Sequence, residues 1–334
     1  ELNYQDLEKT LRDSKLFELT YKSESLELHA SITSIVIPVK SVKQEELLDY
    51  LEFGMKQAKQ HKPSGYFFLT PTTLDAYNRA KKLQSRMLNA LQNDEFYIVL
   101  QPQFRFDGNL VSSEALLRWR SNDIGFISPA EFIPLAEENN YVIFIGDWVI
   151  EQVCKLLSKV YEEGIKTRIS INISSKQIIQ PDFERKLHSA TQKYSISADS
   201  LMLELTETVL VSDIELVKMK MLSLAALGYL FSVDDFGTGY SSLNYIKELP
   251  ISELKIDKCF IDGLGSEDSY SATNIVNAVI DMAKALHLEV VAEGVETQEQ
   301  HEYLKKRGCD IAQGYLLSKP LSVDDWTIKI RDSK

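Results

Sequence analysis

The sequence predicts an α/β protein: a closed barrel of the (β/α)8 type whose first strand runs antiparallel, preceded by a small α/β segment. Three observations predict it. From about residue 96 onward, short runs rich in β-branched and aromatic residues alternate with amphipathic helical stretches, the pattern of βα units around a mostly parallel sheet. The first two runs are separated by 105-RFDGN-109 alone, too short for a crossover helix, so they form an antiparallel hairpin. The residues before about 76 stand outside that alternation.

The runs are 97-YIVLQPQF-104, 110-LVSSEALLRW-119, 168-RISINIS-174, 201-LMLELTE-207, 230-LFSVDDF-236, 253-ELKIDKCFI-261, 289-EVVAEGV-295 and 311-IAQGYLL-317, enough strands to close an eight-stranded TIM-type barrel. Helix punctuation supports the alternation. Ser128, Pro129 and Glu131 supply an N-cap, a first-turn proline and a capping-box acid before 132-FIPLAEE-138, and Asn139 and Asn140 suit a left-handed stop. Ser212 with Glu215 starts a second helix that ends at Gly228, and Thr297 with Gln300 starts a third that ends at Gly308. Between Ser271 and Leu286 the apolar residues Ile275, Val276, Val279, Ile280, Ala283 and Leu286 keep helical spacing and form a core-facing stripe.

The segment in front reads as helix, strand (27–39), helix (44–61), strand (66–69) and a polar helix running to about Asn93. Its core is too small to be more than marginally stable alone. The expected boundaries are 1–75 for this segment and 76–334 for the barrel. Glu1 is not an initiator Met, so the chain reads as a piece of a longer protein, with a sensor or membrane anchor possible upstream.

Composition excludes several function classes. There is no apolar run of spanning length and no signal-peptide pattern at the start. The cysteines Cys154, Cys259 and Cys309 are odd in number and share no metal or redox spacing, which suits a cytoplasmic protein. A formal charge of −12 argues against binding DNA or RNA polymers through a basic surface. It leaves room for a phosphodiester held by cations between carboxylates.

In a βα barrel the chemistry sits at the C-terminal ends of the strands. Here those ends carry Glu114, Asn172, Glu204, then Asp234 and Asp235, then Lys255, Glu293 and Gln313. A single acid at a strand end is most often a cap or a satisfied ion pair. When seven strands do this together, the groups converge on one mouth, where five carboxylates repel unless cations neutralise them. Carboxylate and amide oxygens without Cys or His suit Mg²⁺ or Mn²⁺ rather than zinc.

The motifs 114-EALLRW-119, 172-NIS-174, 204-ELTE-207, 234-DDFGTGYSSL-243, 254-LKID-257, 292-AEGVET-297 and 313-QGY-315 resemble, in order and spacing, the EAL family of cyclic di-GMP phosphodiesterases. The resemblance covers about residue 80 to the end. It implies two Mg²⁺ or Mn²⁺ ions held by Glu114, Asn172, Glu204, Asp234 and Asp235, with Glu293 as a ligand or partner of the attacking water. Lys255 would hold or deprotonate that water. Gln101, Arg118 and Gln313 would contact substrate, and Glu296 and Glu207 would support the site, Glu207 by holding the loop 236-FGTGYSS-242. The implied reaction opens cyclic di-GMP to linear pGpG. The resemblance also implies a twofold homodimer through helices beside that loop.

Residues 48–69 weakly resemble the end of a GGDEF-type domain without its nucleotide-binding signature, and an unrelated α/β docking module remains the alternative. Two rivals to this reading stay open. A non-catalytic cyclic di-GMP receptor needs degraded ligand positions, and the departures are peripheral: Leu100 for an aromatic and Asn140 for a glycine. An unrelated two-metal hydrolase or lyase would not share so many motifs. The Asp235-Phe236-Gly237 triplet lacks every other kinase element, Asn172-Ile173-Ser174 is a sequon on a buried strand, and His301-Glu302 lacks the second histidine of a zinc motif.

Overall fold

The computed structural model describes residues 18–21, 24–27, 31–35, 44–60, 66–207, 214–237, 246–264 and 269–333. The chain divides into two compact units, 1–85 and 86–334. Among the described residues no helix is long and apolar enough to cross a membrane.

In the first unit, strands β1 (Glu18–Tyr21) and β2 (Glu24–Glu27) form an antiparallel hairpin. Strand β3 (Ile32–Ile35) pairs parallel with β4 (Tyr66–Leu69), and helix α1 (Gln44–Gln60) lies between them in sequence. The single strand expected over 27–39 is therefore divided, because its two pieces find different partners: Glu27 belongs to the hairpin and Ile32 to the parallel pair. The helix expected at the extreme N-terminus lies outside the described residues. Helix α2 (Pro71–Gln92) leads into the second unit.

The second unit is the barrel. Its strands are β5 (Phe96–Arg105), β6 (Leu110–Ser121), β8 (Arg168–Asn172), β9 (Leu201–Thr206), β10 (Leu230–Phe236), β11 (Glu253–Ile256), β12 (Glu289–Ala292) and β13 (Ile311–Ala312). Each neighbour from β6 through β13 pairs parallel. Strand β5 closes the circle antiparallel to both β6 and β13, as its four-residue connection to β6 requires. Strand β7 (Gly125–Ile127) adds antiparallel to β6 outside the closed ring.

Three strands end earlier than their apolar runs suggest. After Ile256 the chain turns at Asp257, whose carboxylate caps a short helix by accepting from the Cys259 N–H. Strand β12 stops at Ala292 and β13 at Ala312, where Gly314 packs against Val295: a Cβ there would lie 2.1 Å from the Val295 carbonyl oxygen. Only glycine lets these two segments touch.

The helices whose punctuation lies in the described residues follow it with one exception. Thr297 and Gln300 form the full capping box of helix Gln298–Arg307, which ends at left-handed Gly308. Asn140 adopts φ 61°, the left-handed turn its amide side chain tolerates. Helix Pro129–Glu138 starts as expected, but Ser128 makes no side-chain cap bond, so its expected box with Glu131 is not formed. Ser212 lies outside the described residues. Around the barrel, Leu203, Phe231, Val276 and Leu304 belong to one continuous apolar core with the helices. Trp326 of the C-terminal helix is fully buried, its indole N–H donating to Ser113 Oγ at 2.8 Å.

Candidate active site

The strand-end residues meet. Lys255, on β11, is fully buried, and its ammonium reaches Glu293 Oε1 at 2.6 Å, Glu204 Oε2 at 2.9 Å, Asp234 Oδ1 at 3.2 Å and Glu114 Oε2 at 3.6 Å. One cation thus stands among four carboxylates drawn from β6, β9, β10 and the residue after β12. Glu114 also accepts from Asn172 Nδ2 at 2.9 Å and from Gln313 Nε2 at 2.7 Å. Asp235 adopts φ 55°, a conformation uncommon outside glycine, and its N–H donates to Asp234 Oδ1 at 2.9 Å.

The electrostatics follow from burial and crowding. Burial opposes the charge on Lys255, but Glu114, Glu204, Glu293 and Asp234 outweigh it and hold the ammonium well above its ordinary value. Burial also opposes the charge on Glu114, yet Lys255 and the Gln313 and Asn172 amides hold it below the usual carboxylate range. Glu204 goes the other way: burial, against the pull of Lys255, pushes it well above that range. Burial pushes Glu293 up to about 8 against the same opposing cation, and burial with neighbouring Asp234 pushes Asp235 up to about 6.

The donor set fits a hard divalent cation in kind: carboxylate and amide oxygens, with no thiol or imidazole. Glu204 Oε1 is buried with no hydrogen-bond partner, an acceptor facing no donor of the chain. Although four carboxylates converge on Lys255, among the described residues no three acids, histidines or cysteines are spaced to hold a metal ion as they stand. In this arrangement Lys255 supplies the central positive charge.

A cavity of about 430 Å³ opens beside this ring, lined among others by Gln101, Glu114, Glu293, Glu296 and Gln313. Gln101 and Gln313 touch, with Gln313 Nε2 donating to Gln101 Oε1 at 3.3 Å. Glu296 pairs with Lys258, which lines the same cavity. Arg118 is placed elsewhere: it lines a separate cavity of about 320 Å³ with Asn172 and Thr206, and its Nη1 donates to the Leu117 carbonyl at 2.9 Å. Glu207 is buried and accepts the Gly237 N–H at 3.0 Å, which anchors the start of the loop whose residues 238–245 lie outside the described ones. Gly237 has φ 98°, and a Cβ there would come within 3.1 Å of Phe260.

Sequence reasoning did not single out Lys258 or Tyr315. Tyr315 is 57% exposed at the cavity and lies under the Lys319 ammonium. The one available signal for it was its place in 313-QGY-315, and for Lys258 its place beside 254-LKID-257.

Comparison with known proteins gives one consistent picture. The sequence pattern of the EAL domain matches residues 84–320. MucR of Pseudomonas aeruginosa, a bifunctional diguanylate cyclase/cyclic di-GMP phosphodiesterase, is 34% identical over 300 residues, 89% of this chain and 43% of MucR. The cyclic di-GMP phosphodiesterase PdeR of Escherichia coli K12 is 32% identical over 275 residues, 82% of this chain and 41% of PdeR. The chain therefore spans about two fifths of the length of these relatives. The solved MucR phosphodiesterase in complex with cyclic di-GMP is similar at 35% identity and a TM-score of 0.71, covering 73% of this chain and 99% of that one.

Proposed function

The chain belongs to the EAL family, and from that premise we propose that it hydrolyses one phosphodiester of cyclic di-GMP to give linear pGpG, assisted by two Mg²⁺ or Mn²⁺ ions. The observation that carries this reading is the buried ring of Glu114, Glu204, Asp234 and Glu293 around Lys255 at the barrel's C-terminal mouth. So many carboxylates are costly to gather in one buried site unless positive charge is their purpose.

Glu114, Asn172, Glu204 and Asp234 would hold one cation, and Asp234, Asp235 and Glu293 the other. When bound, such ions lower the pKa of water and neutralise charge at the phosphoryl group. The chain's own residues do the rest. Lys255 donates into the ring and can hold the attacking water in line with the leaving 3′ oxygen, or donate to a non-bridging phosphoryl oxygen. Glu293, its nearest partner, can orient that water. Gln101 and Gln313 face the cavity with amides suited to substrate, and Arg118 would reach a phosphate from the neighbouring cavity. Glu207 fixes the Gly237 turn beside Asp234 and Asp235.

Residues 1–75 would be the trailing part of a GGDEF-type domain without cyclase activity. The 89% of this chain matched by MucR extends beyond residues 84–320 and supports this. The barrel would pair as a twofold dimer, seen as a dimer in sedimentation at micromolar concentration. The decisive experiment incubates the protein with cyclic di-GMP and Mg²⁺ or Mn²⁺ and separates the products by chromatography. Linear pGpG is expected; intact cyclic di-GMP with both metals overturns the reading.

A further inference from the structure

Beneath the mouth, the barrel interior holds two neutral groups that the proposed reaction does not use, Ser112 and Gln103, and they are bonded to one that it does, Gln313. Strands β5 and β6 pair Gln101 opposite Glu114 and Gln103 opposite Ser112, and the register then shifts between Gln103 and Phe104. Residues directly opposite in an antiparallel pair share a face, so these pairs form two stacked layers inside the barrel. The shift after Gln103 is the kind of irregularity that re-aims side chains. Gln103 is fully buried.

The bonds run in one direction. Ser112 Oγ donates to Gln103 Oε1 at 2.6 Å, Gln103 Nε2 donates to Gln313 Oε1 at 2.7 Å, and Gln313 Nε2 donates to Glu114 Oε2 at 2.7 Å. The polarity is forced. An ionised Glu114 can only accept, so Gln313 must turn its NH₂ toward it and its oxygen toward Gln103. Gln103 must then present its NH₂ to Gln313 and its oxygen to the Ser112 hydroxyl. The second Gln313 N–H goes to Gln101 Oε1 at 3.3 Å.

We propose that Gln103 is a positioning residue: by donating to Gln313 Oε1 it locks the Gln313 amide in the orientation that serves both Glu114 and Gln101. Removing that donor leaves a buried acceptor free to rotate, and a rotated Gln313 sets its oxygen against the Glu114 carboxylate. The activity readout rests on the hydrolysis proposed above; the structural readout does not.

The test uses Gln103→Met, which keeps the length and removes both polar atoms, and Gln103→Glu, which keeps the acceptor for Ser112 but turns an acceptor toward Gln313. In protein carrying ¹⁵N-glutamine, the Gln313 side-chain NH₂ resonance is assigned by its loss in Gln313→Ala. It should shift, and its hydrogen exchange should quicken, in both Gln103 variants. Cyclic di-GMP hydrolysis should fall about tenfold in kcat/KM for Gln103→Met, the scale of one oriented hydrogen bond, and further for Gln103→Glu. In a Gln313→Ala background, Gln103→Met should change kcat/KM less than twofold. An unmoved Gln313 resonance, or losses that multiply in the double variant, overturns the proposal. If the parent protein fails to hydrolyse cyclic di-GMP, the activity reading falls and the resonance still decides the role of Gln103. Melting curves identify a variant that does not fold, and the other variant then carries the test.

Discussion

The two sides of the barrel mouth are built on different physics. On the β9 to β12 side, Glu204, Asp234 and Glu293 surround Lys255, and order depends on balancing charge. On the side formed by β5, β6 and β13, Gln101, Gln103, Gln313 and Ser112 carry no charge, and order depends on which end of each amide points where. Glu114 belongs to both, touching Lys255 and accepting from Gln313. The difference teaches that one mouth can hold reactive groups by compensation on one flank and by directionality on the other. The charged flank should fail abruptly when one member is lost, and the neutral flank gradually.

The largest effect is expected where the flanks meet. Glu114→Ala removes a proposed cation ligand and an acceptor for the Gln313 amide, so turnover should fall below detection, as it should for the parent in excess EDTA. Ca²⁺, with longer and looser bonds, should not replace Mg²⁺ or Mn²⁺. Product chromatography with each metal checks all three. Turnover in EDTA would break the charge-balance account of this flank.

Next is Lys255→Met. It leaves Glu114, Glu204, Asp234 and Glu293 buried without their shared cation. Breaking a buried ion pair from one side costs about 3–5 kcal/mol, which for a unit of this size lowers the melting temperature by roughly 10 °C, at about 2–4 °C per kcal/mol. Scanning calorimetry without divalent metal should show the drop, and added Mg²⁺ should recover part of it. An unchanged melting temperature would mean that the carboxylates neutralise themselves by taking up protons.

Glu207→Ala sharpens the comparison at the edge of the charged flank. Its carboxylate holds the Gly237 N–H and stands outside the ring around Lys255. Hydrolysis should fall about tenfold to a hundredfold, on the scale of a charge-assisted hydrogen bond, while the melting temperature stays within a few degrees. Equal losses of fold and activity would place Glu207 in the ring's charge balance instead.

The two flanks were unequally legible in sequence. Asn172, Glu204, Asp234, Lys255 and Glu293 each stand within the last three residues of a strand or just past it, so locating the strands located most of the ring. Glu114 lies mid-strand in β6, which runs on to Ser121, but pairs level with Ser170 near the end of β8. The antiparallel start of the barrel followed from a connection too short to cross over. Gln103 stands near the end of β5, which runs antiparallel and so ends away from the mouth, and its partnership with Ser112 and Gln313 lies beside a register shift that has no signature in the residues themselves. Arg118 was named only through the family resemblance, which does not say which of two cavities it would line. Strand lengths were overread at 253–261, 289–295 and 311–317 because apolar runs continue into turns fixed by Asp257 and Gly314.

The smallest effect separates the flanks most cleanly. Gln101 makes two long bonds, donating to the Ser318 carbonyl at 3.3 Å and accepting from Gln313 at 3.3 Å, whereas the other amide links are 2.7 Å. Bonds at that length contribute little to order. Gln101→Met should therefore leave the melting temperature within about 2 °C, since the loss stays below roughly 0.5 kcal/mol. Gln101 nevertheless lines the cavity where substrate would lie, so its amide is free to bind. KM for cyclic di-GMP should rise a fewfold with kcat nearly unchanged, the signature of an interaction made equally in ground and transition states. A fall in kcat of the size expected for Glu207→Ala would show that the neutral flank also carries transition-state charge, and the division between compensation and directionality would no longer describe this mouth.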